Sequence, residues 1–246
     1  MKRTKFTALL LCVTLVFSGC GSTSNMNNTP KGGIIGGGGG ATLGAILGHI
    51  VSGKSDKGKG ALIGAAIGAA VGTGAGVLIG KKMDKAAEKA AAIEGAQVEQ
   101  VTDNNGLQAV KVTFDSGILF GTGASTLSSS AKASLSKFAN DVLKTNTNMD
   151  VDIYGFTDNQ GWRNSTAEQS KQKNIDLSQQ RAQSVSTYLL SCGVAPAQVK
   201  GVEGLGEENP VADNATAAGR EQNRRVEVYM YASQEMIRQA EAGTLQ

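Results

Sequence analysis

VDIYGFTDNQGWRNSTAEQSKQKNIDLSQQR, residues 151–181, decides how the chain is read. It opens as a strand. Val151, Ile153 and Gly155 fall on one face and Asp152, Tyr154 and Phe156 on the other, the period of two that a pleated strand imposes. A polar loop follows, and a helix is expected to start near Asp176. Asp158 lies just past the strand. Arg181 lies on the helix between Leu177 and Val185, one turn from each, so a cation interrupts an apolar stripe. Near a helix N-terminus, whose free N–H groups favour anions, this arginine would form a carboxylate receptor. Asp158, folded back beside it, would form the matching cation receptor. The residues alone leave blander readings open. Aspartate is common in turns, and an arginine stem can cover Leu177 and Val185 with its head in water.

Working outward, Leu127, Ala131, Leu135, Phe138 and Val142 predict a helix after a serine-rich start. Strands at 98–102 and 107–114 around Asp103-Asn104-Asn105-Gly106 predict a hairpin. Gly193 stops the Arg181 helix. A strand near 198–204 leads into a turn at Pro210. Residues 216–223 fit a short helix, and 225–231 a last strand with Val226, Val228 and Met230 on one face. From 107 onward the order is β-α-β-α-β-α-β, an α+β sandwich with its helices on one face of the sheet. The tail, 233–246, is expected to form a weak extra helix or to fray.

Four motifs in this region, FTDNQG (156–161), NIDLSQQRA (174–182), GLGEENPVADN (204–214) and NRRVEV (223–228), follow one another in a familiar order. Together they resemble the OmpA-like peptidoglycan-binding family over residues 107–232. The resemblance implies a ligand, the diaminopimelate of the peptidoglycan stem peptide, whose side-chain end carries an amine and a carboxylate. It implies that Asp158 holds the ammonium and that Arg181 forks onto the carboxylate, which suits a planar guanidinium. It also implies that Phe114, Thr157, Asn174, Leu177 and Asn223 line or support the groove. Arg224 and Arg225 match the family's double arginine, one bracing the site and the other facing solvent. The loop from Asp158 to Asn174 is longer than is usual in the family.

The N-terminal part has a different character. Residues 1–19 carry a short basic start and an apolar run, as in a secretory signal, and the run is too short for a comfortable membrane span. Phe17-Ser18-Gly19-Cys20 resembles the cleavage site of bacterial lipoproteins, with Cys20 as the lipidated residue. Gly21, in place of the aspartate that resembles an inner-membrane retention signal, favours the outer membrane. The expected location is the outer membrane of a Gram-negative cell, with the domain in the periplasm, although these residues leave surface or periplasmic orientation open. Residues 20–31 are a polar tether. Within 32–82, glycine recurs every four residues, at Gly32, Gly36, Gly40, Gly44 and Gly48 and again from Gly60 through Gly64, Gly68, Gly72 and Gly76 to Gly80. In water each such glycine costs a helix about 1 kcal/mol against alanine. In lipid, small residues let helices approach closely. The pattern resembles a glycine-zipper helical hairpin, able to insert in a membrane or to form a homo-oligomer. His49, the only histidine, has no cysteine or carboxylate at ligand spacing, so no metal is expected there. Residues 83–106 are expected to be a solvated helical spacer and the hairpin turn.

Composition narrows the function classes. Three of the 24 basic residues lie in the signal segment, so the remainder balances the 21 acidic residues. A neutral chain makes no electrostatic case for nucleic acid. Of three cysteines, Cys12 leaves with the signal and Cys20 takes lipid. Cys192 then has no partner for an intramolecular disulfide and is expected to pack as a small hydrophobe. The domain from 107 onward has no histidine and no serine with an evident base partner. A binding protein is expected, with no catalytic residues and no cofactor. The expected role is to tether the outer membrane to the wall. The alternative is a glycine-zipper membrane assembly that the wall-binding domain positions.

Overall fold

The stretch at 151–181 folds as expected in its first half and differently in its second. In the computed structural model, which describes residues 74–102 and 108–245, β3 (Met149–Gly155) is a central strand. The helix that follows, α4 (Ala167–Ser191), does not start near Asp176. It starts nine residues earlier, at a capping box. Thr166 Oγ1 accepts the Gln169 N–H at 3.2 Å, and Gln169 Oε1 accepts the Thr166 N–H at 3.0 Å. The first two turns are mostly exposed and polar, so no apolar period marks them, and only the cap chemistry does. Two expectations change. The second half of the residues assigned to a long loop, from Ala167 on, is helix, and Arg181 sits about four turns inside α4. The helix end therefore lends it no dipole.

One five-stranded sheet, in the order β1-β2-β5-β3-β4, organises the rest. Its strands are β1 (Ala96–Thr102), β2 (Gln108–Asp115), β3, β4 (Val199–Gly204) and β5 (Arg225–Ala232). All neighbours pair antiparallel except β3 and β4, which run parallel on either side of the α4 crossover. The expected β-α-β-α-β-α-β order is present as β2, α3 (Ser129–Lys137, continued as a wider π turn through Leu143), β3, α4, β4, α5 (Ala217–Asn223) and β5. A four-residue helix, α2 (Ser116–Leu119), follows β2 directly. Gly193, with φ +90°, ends α4 as expected.

Register places Val110, Val112 and Phe114 of β2 beside Met230, Val228 and Val226 of β5, and these beside Val151, Ile153 and Gly155 of β3. This face packs against α3 and α4 and is the core. Phe114 meets Phe138 edge-on at 5.7 Å. α4 lies so close to the sheet that a Cβ on Gly155 would overlap the Ser178 carbonyl oxygen, and one on Gly204 would overlap the Gln179 nitrogen. Glycine at both positions lets the helix reach the sheet. The opposite face carries buried Asp152, Tyr154, Glu227, Tyr229 and Tyr231. There the Tyr231 hydroxyl donates to Asp152 at 3.0 Å, and the Tyr229 hydroxyl to Glu227 at 2.7 Å.

Two segments outside the expected sandwich join it. α1 (Gly74–Ala91) was expected to be the end of a zipper helix followed by a solvated spacer. It is one continuous helix that buries Ala75, Ile79, Met83, Ala86 and Ala90 along one side. Gln100 of β1 donates to its Asp84 at 2.8 Å. The tail forms α6 (Gln234–Glu241), capped by Ser233, with Met236, Ile237 and Ala240 buried, and it packs against α1. Among the described residues, no helix is long and apolar enough to cross a membrane. The signal, Cys20, the tether, residues 32–73 of the glycine zipper and the hairpin turn at 103–106 lie outside the described residues.

Candidate functional site

The site forms where β3 ends. Phe156 N–H donates to the Arg225 carbonyl at 2.9 Å and Thr157 N–H to the Gly206 carbonyl at 2.7 Å, which pins the chain between β5 and the 205–214 loop. Asp158 follows, only 8% exposed. Its Oδ1 accepts the Gln160 N–H at 3.0 Å, and its Oδ2 pairs with Arg224 Nη1 at 2.5 Å. Two of its lone-pair positions are thus in use, and a carboxylate has about four. Thr157 is 4% exposed, and its hydroxyl has no hydrogen-bond partner among the described residues.

Arg181 reaches the same region from α4 and is 3% exposed. Its Nε donates to the Ala124 carbonyl at 3.0 Å, its Nη1 lies 3.5 Å from Ser116 Oγ, and its guanidinium stands 5.3 Å from the Phe120 ring centre. Burial pushes its pKa down, the Arg224 charge pushes the same way, and Asp158 partly offsets both. Asp158, Arg181 and Arg224 therefore sense one another, with two cations to one anion. Among the described residues Arg181 has no carboxylate partner.

The other expected residues divide by role. Asn174 is buried on the same face of α4 as Arg181, two turns nearer the helix start. Its Oδ1 accepts the Trp162 indole N–H at 2.7 Å, and its Nδ2 lies 3.4 Å from the carbonyls of Asp158 and Gln160 and from Glu207 Oε2. Leu177 is half-exposed on the same helix. Phe114 is fully buried in the core under the site and cannot line a groove. Asn223 is also fully buried. Its amide accepts from Val211 and Ala212 N–H and donates to Ala212 O and Asn214 Oδ1, at 2.8–3.0 Å, so it fastens the 211–214 loop. Of the double arginine, Arg225 is the brace. It stacks 3.8 Å from the Phe156 ring centre, pairs with Glu227 at 2.6 Å, and holds the carbonyls of Asn209 and Asn223. Arg224, half-exposed, faces the site. Trp162, Glu207, Ser116 and the Ala124 carbonyl were not anticipated. Their only sequence signal is proximity to a motif, which does not say what crosses the gap.

Among the described residues, no group of three histidine, cysteine or acidic side chains could hold a metal. The model of the OmpA family matches residues 119–224, which contain Asp158, Arg181 and Arg224. A probable lipoprotein, YiaD of Escherichia coli K12, is 36% identical over 231 residues, covering 92% of this chain and 97% of its own. The chain belongs to the OmpA family. The model of the YMGG-like Gly-zipper matches residues 1–84, so the glycine repeat is also a recognised pattern. The peptidoglycan-binding protein ArfA of Mycobacterium tuberculosis is 40% identical over 120 residues, 49% of this chain and 34% of its own length. In fold, the chain is similar to a MotB-like protein from Desulfovibrio vulgaris, with a TM-score of 0.52 and 26% identity over 65% of this chain and 96% of that one. This OmpA family member thus has a relative, YiaD, along nearly its whole length.

Proposed function

We propose that this OmpA family protein is a lipoprotein of the outer membrane that binds peptidoglycan without covalent attachment and without catalysis. The observation that carries the reading is Arg181. A buried cation with no carboxylate partner is costly unless something else supplies the anion. Here the ligand supplies it. The carboxylate at the side-chain end of diaminopimelate meets Arg181, with Arg224 beside it. The ammonium of the same centre meets the remaining lone pairs of Asp158. The peptidoglycan-binding relative ArfA and the lipoprotein relative YiaD support this reading. We divide the chain accordingly: 1–19 signal, lipid at Cys20, tether to residue 31, glycine zipper from 32, and a periplasmic wall-binding domain toward the C-terminus.

Co-sedimentation of the full chain with purified sacculi tests the site. Wild type should pellet with the wall. Asp158→Asn and Arg181→Gln should stay in the supernatant while keeping the wild-type circular dichroism spectrum. Folded variants that still pellet would sink the assignment. The match of residues 1–84 to a glycine-zipper model favours a second, compatible role, in which this region self-associates.

A further inference from the structure

Trp162 is the only tryptophan in the chain, and the peptidoglycan reading leaves it without a task. It lies four residues past Asp158, in the loop that joins β3 to α4. It is not part of the hydrophobic core, and its residue is half-buried. It is nevertheless held firmly. Its indole N–H donates to Asn174 Oδ1 at 2.7 Å, and its backbone N–H donates to Ser170 Oγ at 3.0 Å, both on α4. The Asn174 amide that takes the indole also faces the carbonyls of Asp158 and Gln160. The ring therefore stands at the rim of the Asp158 site.

Its chemistry narrows what it meets. The polar edge of the indole is satisfied by the protein, so the ring offers a partner only its apolar faces. The ammonium of Lys173 already stands 5.8 Å from the ring centre, held by Ser165 Oγ at 2.9 Å. A second cation there would be repelled, which argues against a ligand ammonium. A pyranose fits instead. Its C–H groups line one face and can stack on an aromatic ring, while its rim presents polar groups that a lysine can contact. We infer that Trp162 is a stacking platform for an amino-sugar ring, so that the domain binds the glycan together with its stem peptide. This rests on the peptidoglycan reading of the neighbouring site.

The sole tryptophan makes the test direct. The full chain is titrated with a diaminopimelate-containing tripeptide, and with the same tripeptide carried on its disaccharide, by calorimetry and by tryptophan emission. The disaccharide ligand should bind about tenfold tighter, or about 1.4 kcal/mol, and should shift the emission, whereas the bare peptide should not. Trp162→Ala should stay folded with a modestly lower melting temperature, keep its affinity for the bare peptide and lose the tenfold gain. Equal affinity of wild type for both ligands would overturn the inference and leave the peptide site standing. So would equal weakening of both ligands in Trp162→Ala, which would make the indole a loop anchor. Binding of neither ligand to wild type would remove the peptidoglycan reading and the inference with it.

Discussion

Arg225 and Glu227 are each about 2% exposed, paired at 2.6 Å, and tied to Phe156, Asn209, Asn223 and Tyr229. Removing one partner of such a pair strands the other charge in the interior, at a cost of roughly 3–5 kcal/mol. Glu227→Ala should therefore lower the unfolding free energy, measured by denaturant titration, by an amount of that size and loosen the loops that frame the site. Asp152 makes a pH-dependent case. Burial raises its pKa to about 7, Asp150 adds to the rise, and the Tyr231 hydroxyl and the Gly201 N–H partly oppose it. The unfolded value is about 3.9. The folded state thus holds a proton that the unfolded state has lost between those values. Stability from this group is fully present below about pH 4 and is lost as the pH rises through 7. Asp152→Asn cannot ionise. It should raise the melting temperature at pH 8, by at most on the order of 4 kcal/mol in stability, and change little at pH 4. Melts at the two pH values check this. Motif order singles out Asp158 and Arg181 as candidates, but it does not give the Arg224 partner of Asp158, because side-chain pairing across 66 positions of chain is a product of folding.

At the scale of elements, α4 is the part that positions the site, because it carries Asn174, Leu177 and Arg181. Its distance from the sheet is set by Gly155 and Gly204. Gly155→Ala would press a methyl group into the Ser178 backbone and should cost at least about 1–3 kcal/mol, with weaker wall binding as the helix shifts. Gly80, on α1, has open space around its Cβ position. Gly80→Ala should instead stabilise by up to about 1 kcal/mol through helix propensity. A stability decrease at Gly80 or none at Gly155 would contradict this account. The N-terminus of α4 is not written in hydrophobic period, which points to Asp176; only the Thr166-to-Gln169 cap marks it. Strand β3, the α3 stripe and the Gly193 stop were legible, since each is written in local period or backbone preference.

For the whole molecule, the sequence resemblance begins near 107, but the packed unit begins earlier. β1 is the edge strand beside β2, and α1 contributes Ile79, Met83 and Ala86 to the buried set while packing on α6. A fragment of residues 107–232 should thus melt well below one of residues 74–245, or fail to fold. Equal melting temperatures would make α1, β1 and α6 mere appendages. For the zipper, replacing Gly64, Gly68 and Gly72 by leucine should disperse an oligomer in detergent, and a wild-type monomer there would end the self-association reading.

By itself the sequence determined the α+β class, the order of the strands and helices from 107 onward, the glycine repeat, and the candidate pair Asp158 and Arg181. These are local quantities: period, turn chemistry and motif order. Only the tertiary structure decided that Arg181 is buried with no ion pair among the described residues, that Arg224 rather than Arg225 faces Asp158, that Phe114 and Asn223 lie in the interior, and that a stretch read as spacer belongs to the core. Each of those depends on which surfaces meet, and an amphipathic helix such as α1 shows which of its sides is apolar without showing what that side will cover.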